Sequence, residues 1–206
     1  PSIHGFTYIQ FISPGLIMMS VLMSAYINTS SSFFSAKFSR SIEEMLVSPM
    51  PNWIVILGYI TGSVFRSVVV GVFVVLTSLI FTHLDIHHWF IMAYTLLSTS
   101  ILFSLIGLLN GVFARKFDDV SWVPSFVITP LTYLAGVFYS ISLLPPVWRF
   151  ISKLNPIHYI ISSFRYGMLG IGGGDIVLAL ISLTVFNAVF FIINLYYLKH
   201  STGLRN

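Results

Sequence analysis

The chain contains no cysteine, and charged residues make up only 8% of its 206 residues. Without cysteine it has no disulfide, no thiolate nucleophile and no cysteine-ligated zinc site. A soluble domain carries about 25% charged residues, whereas this chain combines its low charge with 56% hydrophobic residues. That composition is typical of an integral membrane protein. The small excess of basic over acidic residues indicates basic cytoplasmic loops rather than binding to nucleic acid.

Five stretches are long and apolar enough to form a helix across a bilayer core, which takes roughly 20 residues. They cover residues 11–34, 53–81, 89–113, 121–143 and 176–198. We therefore predict an all-α membrane protein, a polytopic helical bundle with five visible transmembrane helices. It forms a single transmembrane domain over residues 1–206.

Catalytic and nucleotide-binding motifs are also absent from the sequence. There is no G-x-x-x-x-G-K-[S/T] loop to hold the phosphates of ATP and no G-x-S-x-G nucleophile turn. The predicted spans contain no carboxylate and no histidine. This disfavours the two alternatives that remain open, an ion-coupled carrier and a membrane enzyme. We expect a transport subunit that is not an enzyme and that holds no cofactor and no metal.

Lysine and arginine are distributed unequally between the polar breaks that separate the spans. The break at residues 82–88 has none, whereas the first break, the third break and the C-terminal tail have two each: Lys37 and Arg40, Arg115 and Lys116, Lys199 and Arg205. Because positive charge is retained in the cytoplasm, we predict that these three regions are cytoplasmic. Arg149, Lys153 and Arg165 in the fourth break oppose this assignment, but long loops count less.

The predicted orientation places the N-terminus outside the cytoplasm. The chain begins at Pro1 without a basic and apolar signal segment. We therefore expect one more spanning helix upstream of Pro1, which would give six spans with both ends in the cytoplasm.

The break at residues 38–51 carries a short helical pattern. Ser41 and Glu44 have the S-x-x-E spacing of a capping box, which satisfies free backbone N–H groups where a helix begins. The following residues form an apolar stripe with an acid beside it and a proline at its end: Ile42, Glu43, Met45, Leu46 and Pro49. We predict an amphipathic helix about two turns long on the membrane surface. The alternative is a solvated loop, in which capping alone explains the serine and the glutamate.

The fourth break has the pattern of two short helices. After Pro145 and Pro146, apolar residues at helical spacing predict the first: Val147, Phe150, Ile151 and Leu154. Asn155 and Pro156 predict the start of the second, because asparagine caps helices and proline suits the first helical position. Its apolar stripe is Ile157, Ile160, Ile161, Phe164 and Met168. We predict a hairpin that dips into the outer leaflet and moves on a glycine hinge: Gly172, Gly173 and Gly174. The alternative is an ordinary surface loop.

Polar residues inside the spans are candidates for a substrate path. Arg66 lies well inside the second span, where a charge needs a partner or a wet cavity. Contact with a transported substrate and pairing with a neighbouring helix are both open for it. Asn110 and Tyr133 are further candidates for the path.

Two other patterns have structural explanations beside the functional ones. His83, Asp85, His87 and His88 are possible metal ligands, but their loop is short and they equally suit the end of a helix at the membrane interface. Two Gly-x-x-x-Gly pairs predict close helix packing and allow a homodimer: Gly58 with Gly62, and Gly107 with Gly111.

Several segments, taken in order, resemble the permease subunits of ABC-2 type exporters. They are residues 11–16, 40–49, 144–148, 155–159 and 164–165. The resemblance covers nearly the whole chain. It is strongest to small bacterial permeases of the drug, nodulation-factor or polysaccharide-export type.

The resemblance implies more than the residues alone. It implies six spans, a cytoplasmic coupling helix and an external re-entrant hairpin. The segment from Arg40 to Pro49 would dock into a groove of a separate ATPase, and two permeases with two ATPases would make the exporter. The substrate would be amphipathic, lipid-linked, drug-like or a saccharide, exported across the bacterial inner membrane. From the residues themselves, we predict that the hairpin is an external gate, because its two helices cannot span yet their apolar faces need burial. The gate would include Pro145, Pro146, Trp148, Asn155, Pro156 and Arg165.

Overall fold

The computed structural model describes residues 2–3, 6–42, 50–81, 86–141, 144–171 and 176–200. Two very short strands, β1 (Ser2–Ile3) and β2 (Phe6–Thr7), pair in antiparallel fashion before the first helix. Four long helices follow: α1 (Tyr8–Phe38), α2 (Asn52–Phe81), α3 (Trp89–Phe113) and α8 (Ile176–His200). Each is long and apolar enough to cross a membrane. The prediction of a polytopic helical membrane protein is confirmed at this level.

Shorter helices connect the third and the last long helix. A continuous helical run is built from α4 (Phe117–Val123), a π-helical turn (Pro124–Ile128) and α5 (Thr129–Leu134). Two further helices, α6 (Pro146–Leu154) and α7 (Pro156–Leu169), occupy the region predicted as a hairpin. The hairpin's division into two helices therefore follows the prediction.

The predicted fourth span, residues 121–143, differs from the observed helices. The helical run ends at Leu134, and Gly136 adopts a left-handed conformation with φ of 84°. The wide π turn lies just before Pro130, whose ring has no N–H and would clash with the carbonyl four residues earlier in a regular helix. Four long helices are established, and a fifth span here stays a prediction.

The centre of the bundle is α3, which packs against α1, α2, α7 and α8. Of its most apolar stretch, 61% is buried inside the chain, against 17% for α2 and 11% for α8. The main core joins apolar side chains of α1, α3 and α7, among them Met18, Leu22, Phe103, Ile161 and Phe164. Because α2 and α8 bury so little within the chain, their outer faces are available to lipid or to another subunit.

Candidate functional site

The segment predicted to contact an ATPase is described only at its start. Arg40, Ser41 and Ile42 are described, whereas Glu43, Glu44, Met45, Leu46 and Pro49 lie outside the described residues. Ser41 and Ile42 are helical, in agreement with a helix start near Ser41, and the capping box with Glu44 stays a prediction.

The turn before this segment ends α1 in a capped form. Arg40 has a left-handed backbone with φ of 60°, and its N–H donates to the Lys37 carbonyl at 3.1 Å. The Ser41 hydroxyl donates to the Ala36 carbonyl at 3.2 Å. These bonds satisfy carbonyls that the last turn of a helix leaves free, as in a Schellman cap. The end of α1 is therefore capped by its own turn.

Ile42, at the start of this segment, is buried in the bundle. It is only 1% exposed and packs in a core cluster with residues of α1, α2 and α3. Sequence reasoning placed Ile42 in the contact with an ATPase. The structure makes it an anchor that holds the segment against the bundle.

The end of α1 is also fixed to the turn between α3 and α4. The Lys37 ammonium donates to the carbonyls of Val112 and Ala114, at 2.7 and 3.0 Å. It thereby caps the negative end of the α3 dipole. The rings of Phe34 and Phe117 meet edge to face at 4.8 Å. Two predicted cytoplasmic turns therefore form one packed unit at this end of the bundle.

Asp119 stabilises the second of these turns. Its carboxylate accepts the N–H of Arg115 at 2.8 Å and that of Lys116 at 3.0 Å. These two backbone hydrogen bonds lower the pKa of Asp119, because they favour its charged form. The carboxylate also lies in the first turn of α4, where the helix dipole favours negative charge.

Arg66 belongs to a polar cluster between α1 and α2. Its Nη1 donates to the Asn28 side-chain oxygen at 2.9 Å. The Asn28 amide in turn donates to the Ser63 hydroxyl at 2.8 Å, and Ser63 is also bonded to the Thr29 hydroxyl. Ser63 and Thr29 are fully buried, whereas Arg66 is exposed on the side of the bundle. The cluster thus presents a held cation on the surface of α2.

The two glycine pairs have different environments. A Cβ added at Gly107 would lie 2.5 Å from the Tyr26 carbonyl, and one at Gly111 would lie 3.1 Å from the Ser30 carbonyl. These glycines therefore bring α3 against α1. A Cβ at Gly58 or Gly62 would meet no other atom within 4 Å. Gly58 and Gly62 therefore leave an open strip on α2 that leads to Arg66.

The other two path candidates lie in different surroundings from Arg66. Asn110 is half-buried, and its side-chain amide donates to the Asp119 carbonyl at 3.3 Å. Tyr133 is exposed, and its ring lies tilted against that of Phe138 with centroids 5.6 Å apart. Among the described residues, no recorded contact joins Arg66, Asn110 and Tyr133 in one site.

In the predicted external hairpin, α7 is anchored to the end of α5. Asn155 caps α7 by accepting the Ile157 N–H at 3.0 Å, and its amide donates to the Leu131 carbonyl. His158 Nδ1 lies 3.3 Å from the Ala135 carbonyl. The predicted N-cap is confirmed. The predicted stripe of α7 is buried throughout.

Arg165 makes the third connection between α7 and the end of α5. It donates to the Gly136 carbonyl at 2.9 Å, and its guanidinium lies 4.1 Å from the centre of the Phe11 ring. Burial lowers the pKa of Arg165 to about 10, so the group is still charged at neutral pH. The dipole of α5 favours a positive charge at its C-terminal end, and the contact with the Phe11 ring adds a cation–π interaction.

The first helix of the hairpin, α6, is packed differently. Pro145 precedes this helix and Pro146 begins it, as predicted. Its apolar face is not covered by any other part of the described chain. The exposed side chains are Val147, Trp148, Phe150, Ile151 and Leu154. Only the second helix of the hairpin is therefore part of the core, and the hinge candidates Gly172, Gly173 and Gly174 lie outside the described residues.

The histidine cluster has a structural role in its described part. His83 and Asp85 lie outside the described residues. The N–H groups of His87 and His88 donate to the carbonyls of Met168 and Gly167, at 3.2 and 2.8 Å. These bonds fasten the loop between α2 and α3 to the end of α7. Within the described ranges, no group of three or more His, Cys, Asp or Glu is placed to hold a metal.

Sequence reasoning missed three asparagines inside the spans. Asn28 holds Arg66, while Asn187 and Asn194 donate from α8 to the carbonyls of Ser98 and Leu105 on α3 at 3.1 Å each. Polar side chains in apolar helices hydrogen-bond between helices. An asparagine within a predicted span, and the seven-residue spacing of the last two, are the signals that would have found them.

Comparison with known proteins gives the following similarities. The ABC-2 type transporter family model matches residues 2–169. Inner membrane transport permease YadH of Escherichia coli (strain K12) is 55% identical over 203 residues, which cover 98% of this chain and 79% of the relative. Nodulation protein J of Sinorhizobium fredii (strain NBRC 101917 / NGR234) is 22% identical over 188 residues, which cover 89% of this chain and 71% of the relative.

Proposed function

Because the chain belongs to the ABC-2 type transporter family, we propose that it is the membrane subunit of an ATP-driven exporter in the bacterial inner membrane. The observation that carries this proposal is the similarity to a named inner membrane transport permease along nearly the whole chain. The sequence has no phosphate-binding loop of its own. The energy for active transport would therefore come from a separate ATPase subunit.

The segment from Arg40 to Pro49 is the proposed contact with the ATPase. Support comes from its base, where a capped turn, the Lys37 bonds and the buried Ile42 fasten it to three helices. A push on such a segment is passed to α1, α2 and α3. Glu43 and Glu44 supply the charges that a partner would recognise.

The test is the double substitution Glu43→Lys with Glu44→Lys. We expect it to abolish co-purification with the ATPase encoded beside the permease, or to uncouple ATP hydrolysis from transport, while membrane insertion stays intact. Asp118→Lys is the matched control, because Asp118 is an exposed acid in the other predicted cytoplasmic turn. Normal binding and transport by the Glu43 and Glu44 variant would refute the assignment. A purified permease that transports without any ATPase would favour the ion-coupled alternative.

Two copies of the permease are proposed to enclose the translocation path. The support is the low burial of α2 and α8 within one chain, 17% and 11% of their most apolar stretches, which leaves surface for a second copy. Mass measurement of the complex in detergent should give two permeases for each pair of ATPases. One permease per pair would exclude the homodimer.

The external hairpin is proposed to close the outer end of the path. Its exposed arm is α6, with Trp148. Replacing Gly172, Gly173 and Gly174 with alanine tests the proposed glycine hinge. Slower transport with unchanged ATPase binding supports the hinge, and unchanged transport would refute it.

A further inference from the structure

Arg66 is a cation near the middle of a membrane-spanning helix. It lies about 14 residues, or roughly 21 Å of helix, from either end of α2. Charge at that depth is costly unless an opposite charge or water is present. The hydrogen-bond partner Asn28 is a neutral amide, so it orients the guanidinium without neutralising it.

The four spanning helices of the described residues supply no opposite charge for Arg66. The six acidic residues of the sequence lie outside these helices: Glu43, Glu44, Asp85, Asp118, Asp119 and Asp175. The same four helices in a second copy are acid-free too, so they do not neutralise Arg66 either. The headgroups lie roughly 15 Å from the bilayer centre, beyond the reach of a side chain that Asn28 holds in place.

The cluster is organised to hold the guanidinium ready for a ligand. Arginine is a donor only, so the Asn28 oxygen must face Arg66 and the Asn28 amide must face Ser63. Ser63 is itself buried and bonded to Thr29, which fixes the orientation of Asn28. One guanidinium nitrogen is thereby engaged, and the exposed remainder carries further N–H donors in the fork geometry that binds phosphate and carboxylate.

The surroundings of Arg66 suit a molecule with an apolar part. Gly58, Gly62 and Arg66 follow one another at four-residue intervals, so they share one face of α2. The two glycines leave open space, and the neighbouring Phe65 is 73% exposed beside it. An anionic group bound at Arg66 would therefore have an apolar, aromatic wall next to it.

We propose that Arg66 binds the anionic group, a phosphate, sulfate or carboxylate, of an amphipathic molecule in transit through the membrane. Asn28 is a positioning residue for this site, and the open strip on α2 receives the apolar part. The inference rests on the proposed transport function for the role of that molecule as substrate, and it adds the chemical class. Bulk anionic lipid also combines an anionic group with an apolar part, but its headgroups lie at the membrane surfaces.

The test uses purified permease in phosphatidylcholine nanodiscs with radiolabelled dodecyl phosphate as the probe. Dodecyl maltoside, which has the same chain and an uncharged headgroup, serves as the competitor. Arg66→Gln removes the charge and keeps a hydrogen-bond donor for Asn28, and removing a charge from mid-membrane favours insertion. Arg66→Lys keeps the charge, and Arg149→Gln removes a cation from the exposed surface of α6.

We expect wild-type permease to bind dodecyl phosphate about tenfold more tightly than Arg66→Gln does, the range for a charge-assisted hydrogen bond. Arg66→Lys should keep most of the affinity, Arg149→Gln should match wild type, and dodecyl maltoside should not compete. Equal binding by wild type and Arg66→Gln would overturn the proposal. The measurement needs no ATPase, so it can fail or succeed independently of the coupling experiment.

A second bilayer distinguishes transported molecules from resident lipid. In phosphatidylglycerol nanodiscs, anionic headgroups are in large excess over the probe. Wild-type binding should still exceed that of Arg66→Gln there. A fall to the Arg66→Gln level would assign the site to bulk lipid and would overturn its assignment to a substrate in transit.

Discussion

Gly107 marks a close approach between the two most buried long helices, α1 and α3. The Tyr26 carbonyl occupies the place where a side chain would begin. Gly62 is also a glycine in a long apolar helix, yet a Cβ added there would meet no other atom of the chain within 4 Å. One glycine is therefore required by packing inside the subunit, and the other is free for contacts outside it.

We expect Gly107→Ala to destabilise the permease by about 1–3 kcal/mol, because the added methyl group overpacks against backbone that cannot move aside. Gly62→Ala is the matched control and should leave stability equal or slightly higher, since alanine favours helix. The unfolding midpoint of both variants in one detergent measures this. A Gly107→Ala protein as stable as wild type would contradict the close approach.

Asp119 provides a prediction about pH. Because its pKa in the folded protein is lowered, the stabilisation that it gives to the turn is present above the ordinary value of 3.8 and is lost as pH falls through the lower, folded value. The amide resonances of Arg115 and Lys116 should titrate with a midpoint below 3.8. Asp119→Asn should abolish the titration. A midpoint at or above the ordinary value would show that the two hydrogen bonds do not form.

Helix ends carry much of the organisation of this fold. The end of α3 is capped by Lys37, and the end of α5 is capped by Asn155, His158 and Arg165. In each case a side chain from a distant helix satisfies carbonyls that the helix cannot satisfy itself. The short helices are thereby held in the bundle although they are too short to cross a membrane alone.

We expect Arg165→Met to lower stability by roughly 1–3 kcal/mol, because it leaves the carbonyls at the end of α5 without their charged donor. Methionine keeps an apolar contact with Phe11. Arg149→Met loses a solvent-exposed hydrogen bond to the Leu144 carbonyl and should change stability by less than about 0.5 kcal/mol. Thermal unfolding of the two variants decides the point. Equal midpoints would mean that α7 is not anchored through Arg165.

The sequence predicts those elements whose signals are local. The Asn155 cap and the buried stripe of α7 were predictable, because a cap and its spacing lie within a few residues. The burial of Ile42 and the exposure of α6 were not, since both helices are amphipathic by pattern and only tertiary contacts decide which face is covered. The early end of the fourth predicted span coincides with the left-handed backbone of Gly136, which hydrophobicity alone does not register.

Of the candidate site, Arg66 was predictable because a charge within an apolar span stands out. Its environment was not. Asn28 lies 38 positions earlier in the chain, and the hydrogen bond between them depends on how α1 and α2 pack. The difference between the two glycine pairs likewise needs the packed bundle, since their spacing is identical.

The orientation of the bundle in the membrane is the prediction that the others depend on. With basic breaks in the cytoplasm, α6 faces outward and the turn between α3 and α4 faces inward. In intact cells, Lys153→Cys on α6 should react with an impermeant maleimide. Lys116→Cys should react only after permeabilisation. The opposite pattern would place the segment from Arg40 to Pro49 outside and would remove the basis for an ATPase contact.

The hydrogen bond between Asn28 and Arg66 also bears on biogenesis. A nascent α2 that entered the bilayer alone would expose its guanidinium to hydrocarbon, the most expensive step for any span in this chain. If α1 is already beside α2, the Asn28 oxygen can accept a hydrogen bond from the guanidinium as soon as α2 enters the bilayer. The smallest unit that can leave the translocon with Arg66 hydrogen-bonded is therefore the α1–α2 pair, and Asn28→Leu should slow the integration of α2 before it affects any step of transport.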